Sequence, residues 1–277
     1  MPEKMKIAYI SVIRDDEDIF PWNIKYYYNI GIRNFYIMLH LPSKINLDIA
    51  ENLQKTLLNS TFKININNQE KHHHDIDVKI LTNAALKDGF TWLIGTDADE
   101  ILILKKHESL SDFLKQFSSL LGSSVLCFKW VDRRANHNIY PPENPFIGMS
   151  YQCTKYMDET NQGWIKCSGQ FNTEMQFITG FHNIIGCSNI IKIHPNQAYF
   201  AHFPERNLEQ FEKKMNIQEK NWIERYGYFY GKGNTDYKKI WQSRIITADG
   251  NRQVAGQNKI DGILEYNYDP LSEELFR

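Results

Sequence analysis

The sequence lacks the features that would assign it at once to several broad classes of protein. Its 277 residues carry a net charge of −1, and its four cysteines include no Cys-x-x-Cys pair. The balanced charge excludes a generally basic surface for nucleic acid, and the scattered cysteines are typical of free thiols. No apolar run approaches the length of a transmembrane helix, and the N-terminal residues lack a secretory signal. We therefore expect a cytoplasmic protein without a nucleic-acid partner.

Strand-like and helix-like segments alternate along the first third of the chain. The predicted strands cover residues 6–13, 34–39, 62–66 and 92–94, and the predicted helices cover residues 19–30, 47–58 and 75–87. This alternation predicts an α/β fold with a mixed, mainly parallel sheet flanked by helices. A helical pattern over residues 205–226 predicts a change of structure there. We expect one domain over residues 1–204 and a C-terminal helical extension over residues 205–277.

The most informative segment is an apolar strand that ends in closely spaced carboxylates. Trp92-Leu93-Ile94-Gly95 reads as a buried strand, and Asp97, Asp99 and Glu100 follow it. Open α/β sheets place their ligand sites at the carboxyl ends of such strands. Hard oxygen donors this close together suit Mg²⁺ or Mn²⁺ bridging a diphosphate leaving group. A simple turn or a helix cap is the alternative interpretation.

Spaced elements on both sides of this segment agree in order with one enzyme family. An opening strand closes with Val12-Ile13-Arg14-Asp15-Asp16-Glu17, Trp22 follows in a helix, and Gly31 precedes Asn34-Phe35-Tyr36-Ile37. Later elements are His202-Phe203, Arg206-Asn207 and Phe211-Glu212-Lys213. Together with Asp97-Ala98-Asp99-Glu100-Ile101, this order resembles the family-2-like glycosyltransferases of the GT-A fold, in the branch that includes DUF23-type (family 92) enzymes.

Two departures from this family fall in its nucleotide pocket. The opening strand ends in Arg14-Asp15-Asp16-Glu17 instead of Lys-Asn-Glu. The second strand is followed by His40-Leu41-Pro42-Ser43, where the family usually has an Asp or Asn with a Ser–Asp pair. Both departures concern recognition of the nucleotide base.

The resemblance implies a metal-dependent transferase that moves a sugar from a nucleotide-diphosphate donor, with a UDP-sugar favoured, to a hydroxyl of a glycan or glycolipid. It implies inversion at the anomeric carbon, Mn²⁺ or Mg²⁺ as cofactor, and a GT-A-like nucleotide-sugar-binding domain over residues 1–204. The resemblance implies a cytoplasmic enzyme, and the inner face of the membrane is one place where it would act. The aromatic residues 226–232 are candidates for contact with an acceptor or a membrane surface, and packing of the C-terminal helices onto the sheet is the alternative interpretation.

The resemblance and the predicted topology together assign roles to individual residues. The expected metal ligands are Asp97, Asp99 and His182, with His202 as the alternative to His182. The expected nucleotide-binding residues are Ile13, Arg14, Asp16, Glu17, Lys79, Asn83, Asp97, Lys166 and His202. The general base that an inverting transfer requires is Asp132, after the predicted strand 124–131, or else Glu174. A structural role is the alternative for each histidine, and capping of a helix is the alternative for Asp16 and Glu17.

Three other functions remain open at this point. A haloacid-dehalogenase-type phosphotransferase also carries Asp-x-Asp after a strand, although on its first core strand. A nucleotidyltransferase shares the sheet but usually opens with a Gly-rich loop, which residues 14–17 do not provide. A catalytically silent glycan-binding protein is the third. The histidines at 72–74 suggest a metal site, but neighbouring residues on an extended chain point apart, so we expect a solvated loop there.

Overall fold

The computed structural model describes most of the first 204 residues and less of the remainder. The described residues are 5–70, 73–105, 109–117, 124–134, 144–149, 151–153, 165–204, 206, 209–216, 251–252, 264–269 and 271–276. No helix among them is long and apolar enough to cross a bilayer.

The chain forms fourteen strands within these residues. They are β1 (Ile7–Ile13), β2 (Asn34–His40), β3 (Thr61–Asn67), β4 (Trp92–Gly95), β5 (Glu100–Leu104), β6 (Ser124–Arg134), β7 (Tyr151–Cys153), β8 (Ile165–Gln170), β9 (Gln176–Ile178), β10 (Asn183–Ile185), β11 (Asn189–Lys192), β12 (Ala198–His202), β13 (Asn251–Arg252) and β14 (Leu264–Tyr268). The helices are α1 (Phe20–Asn29), α2 (Lys44–Thr56), α3 (His74–Lys87), α4 (Leu110–Lys115), α5 (Pro145–Gly148) and a 3₁₀ helix (Glu273–Phe276). Residues 209–216 are also helical.

Two compact units divide the chain, and neither is a continuous segment. The first comprises residues 1–131, 159–202 and 272–277, and the second comprises residues 132–158 and 203–271. This division differs from the consecutive domains 1–204 and 205–277 expected from the sequence. Beyond residue 204 the described residues contain the helix 209–216, the 3₁₀ helix and the strands β13 and β14. Most of the expected helical extension lies outside the described residues.

The sheet of the first unit is mixed. β3, β2, β1 and β4 lie side by side in that order and are parallel. β8 then pairs antiparallel with β4, β6 pairs antiparallel with β8, and β11 pairs parallel with β6. The order 3-2-1-4 in the parallel part is the order of doubly wound α/β sheets. The expected α/β fold with helices beside a mixed sheet is confirmed, and it is compatible with the GT-A-like architecture.

Helices cover both faces of the parallel strands. Ile10 and Val12 of β1 belong to the core cluster that includes Val78 and Leu81 of α3. Tyr9, which points to the other face, contacts the ring of Tyr27 on α1 at 4.8 Å between centroids. A strand covered on both faces must be apolar throughout, which explains the nearly continuous apolar run in the sequence of β1.

The second unit contains a short antiparallel ladder. The last residues of β6 pair with β7, β7 pairs with β14, and β14 pairs with β13. Arg133 is fully buried there, and its guanidinium lies 2.6 Å from Asp269 Oδ2. The rings of Phe146 and Phe203 pack edge to face at 4.6 Å.

Candidate metal centre

Three carboxylates lie in the short turn between β4 and β5. The Thr96 N–H donates to the Ile10 carbonyl at 3.1 Å, which extends the β1–β4 ladder by one residue. The turn closes where the Glu100 N–H donates to the Asp97 carbonyl at 3.2 Å. Asp97, Asp99 and Glu100 therefore stand at the carboxyl edge of the parallel strands, where α/β folds bind their ligands.

The glycine at the end of β4 makes room for an aromatic ring. A Cβ on Gly95 would lie 2.2 Å from Cδ1 of Phe181. Phe181 and Thr179 have φ angles of +64° and +53°, which are costly for side chains of this size. This strained turn presents the carbonyl of Gly180 to the side chain of Lys166.

Lys166 on β8 supplies the positive charge beside the carboxylate turn, and its side chain is fully buried. Its Nζ lies 2.6 Å from Asp97 Oδ2, 2.6 Å from the Gly180 carbonyl and 2.9 Å from Glu100 Oε2. These three acceptors match the three hydrogens of an ammonium group. Burial alone would lower the pKa of Lys166, but the two carboxylates raise it above its ordinary value. The sequence assigned Lys166 to the nucleotide, whereas the structure places its charge on the carboxylates.

Asp97 is held from two sides. Its Oδ2 accepts from Lys166, and its Oδ1 lies 3.4 Å from Nε2 of His74, the first residue of α3. Burial alone would raise the pKa of Asp97, but Lys166 and His74 bring it below its usual range. Asp97 is therefore an ionised anchor whose two oxygens both face donors or cations.

Glu100 is buried and receives hydrogen bonds on both oxygens. Its Oε1 accepts from Trp130 Nε1 at 2.6 Å, and its Oε2 accepts from the Asp97 N–H at 3.2 Å. Burial raises the pKa of Glu100 to about 6, although Lys166 opposes that increase. These contacts hold Glu100 in one orientation at the start of β5.

Asp99 faces the end of β12. Its Oδ2 lies 3.6 Å from Nε2 of His202. The His202 ring stacks on Trp130 with 4.1 Å between centroids and 27° between planes. Trp130 thus touches both Glu100, through its N–H, and His202, through its ring face.

Asp99, Glu100 and His202 form a group that can hold a cation. One ligand atom from each lies within 4.8 Å of the other two. Two carboxylates and one imidazole are a donor set that fits a divalent cation. A cation bound by all three would compete with Lys166 and Trp130 for the oxygens of Glu100.

His182 lies outside this three-residue group, although the sequence made it a metal ligand. Its Nδ1 is 2.6 Å from the Ile165 carbonyl, so Nδ1–H donates and Nε2 carries the lone pair. Its ring meets Trp130 edge to face at 5.6 Å. Burial, with Lys166 adding to it, lowers the pKa of His182 to about 4. His182 is therefore a neutral neighbour of the group near pH 7.

The residues at the end of β1 form a turn before α1. Ile13 is buried, whereas Arg14, Asp16 and Glu17 are half-buried. α1 begins at Phe20 and has no acidic residue in its first turn, so these acids precede the helix. Because β1 and β4 are parallel neighbours, this turn lies at the same sheet edge as the carboxylates.

Lys79 and Asn83, the two α3 residues that the sequence assigns to the nucleotide, do not face the sheet. Both are exposed on α3, whose buried residues include Val78 and Leu81. The helix contributes to the site through His74 at its N-terminus instead. α3 follows β3, so its first residue emerges at the carboxyl edge.

One of the two expected general bases, Glu174, follows the end of β8 that lies opposite the carboxylate turn. β8 runs antiparallel to β4, and its last residue pairs with Trp92 at the start of β4. Glu174 follows that end, is exposed, and donates its N–H to Asn172 Oδ1 at 2.9 Å. Asp132 lies inside β6 rather than after it, is half-buried, and belongs to the second unit.

Three residues of the centre were absent from the sequence-based assignment: His74, Glu100 and Trp130. Glu100 is adjacent to the Asp-x-Asp motif. The sequence predicts a solvated loop at His74, whereas this residue is the first of α3 and lies beside Asp97. Both residues therefore had a positional signal. Trp130 had none, because its partners lie 30 and 72 residues away in sequence.

The comparisons with known proteins add little to this geometry. No protein-family model matches the chain, and no curated protein matches it. Among solved structures, the chain is similar to HddC from Yersinia pseudotuberculosis, with 14% identity, coverage of 49% of this chain and 67% of that chain, and a TM-score of 0.32.

Proposed function

We propose that this protein is a metal-dependent glycosyltransferase of GT-A type that uses a nucleoside-diphosphate sugar and acts on a hydroxyl of a glycan or glycolipid. One observation supports it most: Asp99 of the Asp-x-Asp motif, Glu100 and His202 converge at the carboxyl edge of a parallel sheet. The family resemblance places the same motif and a late histidine at the metal of a sugar-nucleotide site.

The chain's own residues divide the work at this centre. Asp99, Glu100 and His202 would hold the cation, which when bound neutralises charge on a departing diphosphate. Lys166 neutralises the charge of Asp97, and this reduces the repulsion among the three carboxylates. The imidazole in the donor set favours Mn²⁺ over Mg²⁺, since Mg²⁺ prefers oxygen ligands and retains water.

A thermal-shift experiment tests the cation and the donor together. We expect UDP to stabilise the protein when Mn²⁺ is present and to have no effect without it. Asp99→Asn should lose this response, whereas Asp48→Asn, which alters an exposed carboxylate on α2, should retain it. An Asp99→Asn variant that responds like the parent would exclude the metal assignment.

A turnover experiment tests the reaction class. Sugar nucleotides differing in base and sugar are incubated with the protein and Mn²⁺, and the released nucleoside diphosphate is measured with and without glycan acceptors. Release supports glycosyl transfer, and the anomeric configuration of the product tests inversion. Hydrolysis of simple phosphoesters without sugar-nucleotide binding would favour a phosphotransferase, and donor binding without release would favour a silent binding protein.

A further inference from the structure

A buried amide lies beneath the carboxylate turn. Asn23 on α1 is fully buried, and its Nδ2 donates to the carbonyls of Ala98 at 2.9 Å and Glu100 at 2.7 Å. Its Oδ1 accepts from the Tyr9 hydroxyl at 2.6 Å. Two carbonyl acceptors require the NH₂ side of the amide, and the hydroxyl donor requires the oxygen side. The orientation of Asn23 is therefore determined by its three partners.

The two carbonyls that Asn23 holds lie on either side of Asp99 along the chain. The Ala98 carbonyl belongs to the peptide group that enters Asp99, and the Glu100 carbonyl belongs to the group that leaves Glu100. Holding both peptide groups restricts the backbone dihedrals of the two residues between them. Those dihedrals set the directions in which the Asp99 and Glu100 side chains leave the backbone.

We propose that Asn23 is a positioning residue that aims the Asp99 and Glu100 carboxylates at a shared cation. The proposal rests on the cation site proposed above. Asn23 touches neither cation nor substrate; it acts through the backbone of the turn. Residues that do not bind the metal but orient its ligands commonly have a large effect on metal affinity.

A matched control lies on the same helix. The Tyr26 hydroxyl donates to the Leu102 carbonyl at 2.6 Å, and Tyr26 is buried like Asn23. This hydrogen bond also ties α1 to β5, but it joins β5 beyond the turn. Tyr26→Phe therefore weakens the α1–β5 contact without releasing the carbonyls next to Asp99.

The first measurement is Mn²⁺ affinity by calorimetry on the full chain. Asn23→Leu keeps the approximate volume and removes both donors, and we expect its Mn²⁺ affinity to fall about 10–100-fold. Tyr26→Phe should bind Mn²⁺ like the parent, even where its melting temperature falls. Equal affinities in Asn23→Leu and the parent would overturn the proposal.

Two further measurements keep the proposal testable. If Asn23→Leu does not fold, Tyr9→Phe removes only the donor that orients the amide, and it should weaken Mn²⁺ binding to a smaller extent. Unaltered affinity in that variant would then count against the proposal.

Amide hydrogen exchange over residues 96–100 reports on the turn without any cation. Exchange there should accelerate in Asn23→Leu and not in Tyr26→Phe, and unaltered exchange in Asn23→Leu would overturn the positioning role. A parent protein that binds no Mn²⁺ would overturn the proposed function instead, while exchange still decides whether Asn23 holds the turn.

Discussion

Lys166 Nζ lies 2.6 Å from Asp97 Oδ2, although 69 residues separate the two in sequence. This contact means that the first carboxylate of the Asp-x-Asp motif already has a cation supplied by the protein. The second carboxylate, Asp99, faces a histidine instead. The two aspartates therefore have different surroundings: Asp97 contacts Lys166 and His74, and Asp99 lies beside His202.

Replacing Lys166 should destabilise the fold. Lys166→Met keeps most of the volume but leaves two carboxylates without their shared ammonium. We expect a loss of about 3 kcal/mol in the free energy of unfolding, the lower end for a broken buried ion pair, because Asp97 is one-third exposed and can be hydrated. Urea denaturation measures this. Lys55→Met, which removes the exposed pair with Glu51, is the control and should leave the free energy of unfolding nearly unchanged, because solvent screens this pair.

Replacing Asp97 and replacing Asp99 should have different effects on the melting temperature and on the response to Mn²⁺. Asp97→Asn removes the main partner of Lys166 and should lower the melting temperature even without metal. Asp99→Asn removes a negative charge from a crowded group, so its melting temperature without metal should equal or exceed that of the parent. Only the second should abolish the Mn²⁺ response through loss of a ligand. The prediction is refuted if Asp99→Asn lowers the melting temperature without metal and Asp97→Asn does not.

Trp130 should report cation binding by fluorescence. Its indole contacts Glu100 and His202, two of the three residues that could bind the cation. Adding Mn²⁺ should therefore quench tryptophan emission, and Trp130→Phe should remove most of that change. The phenylalanine retains an aromatic face for His202 but donates no hydrogen bond to Glu100, so Mn²⁺ affinity should also fall. Trp22→Phe on α1 is the control and should leave the quenching intact.

His40 should make stability depend on pH. It is fully buried at the end of β2, and burial together with nearby Arg14 lowers its pKa. The unfolded chain then binds more protons than the folded chain below about pH 6.5. Stability should consequently decrease as the pH falls through and below that value, and His40→Gln should flatten this part of the profile. His73→Gln, at an exposed histidine, should leave the slope unchanged in urea titrations at pH 5–8.

Two buried thiols should join on oxidation. Cys127 and Cys167 are register partners on β6 and β8, with 3.5 Å between their sulfur atoms. The Cys167 N–H donates to Phe181, and the Cys127 carbonyl accepts from Ile193, so they form a non-hydrogen-bonded pair, in which side chains are closest. Diamide should take one hydrogen from each thiol and form a disulfide, detected by peptide mass. The Cys187→Ser variant should still form this disulfide. The prediction is contradicted if peptide mass analysis finds no Cys127–Cys167 crosslink after oxidation of either the native or the unfolded protein.

Much of the first unit follows from local patterns. The bounds of β1 to β4 and α1 to α3 agree with the sequence prediction within a few residues, since apolar periodicity reflects which faces of each element are buried. The carboxylate turn could also be located from the sequence. A run of apolar residues followed by Gly95 and two aspartates is a local pattern that does not depend on distant parts of the chain. Asp99 at the sheet edge follows from that alone.

Contacts between residues far apart in sequence could be identified only from the tertiary structure. Periodicity describes an element and its neighbours in sequence, so it located the α3 helix but did not show that His74 would lie beside Asp97. The pairing of Lys166 with Asp97, the stacking of Trp130 on His202, and the grouping of residues 132–158 with 203–271 all join distant parts of the chain. Such contacts arise from the packing of strands and helices in space, and no local spacing encodes them.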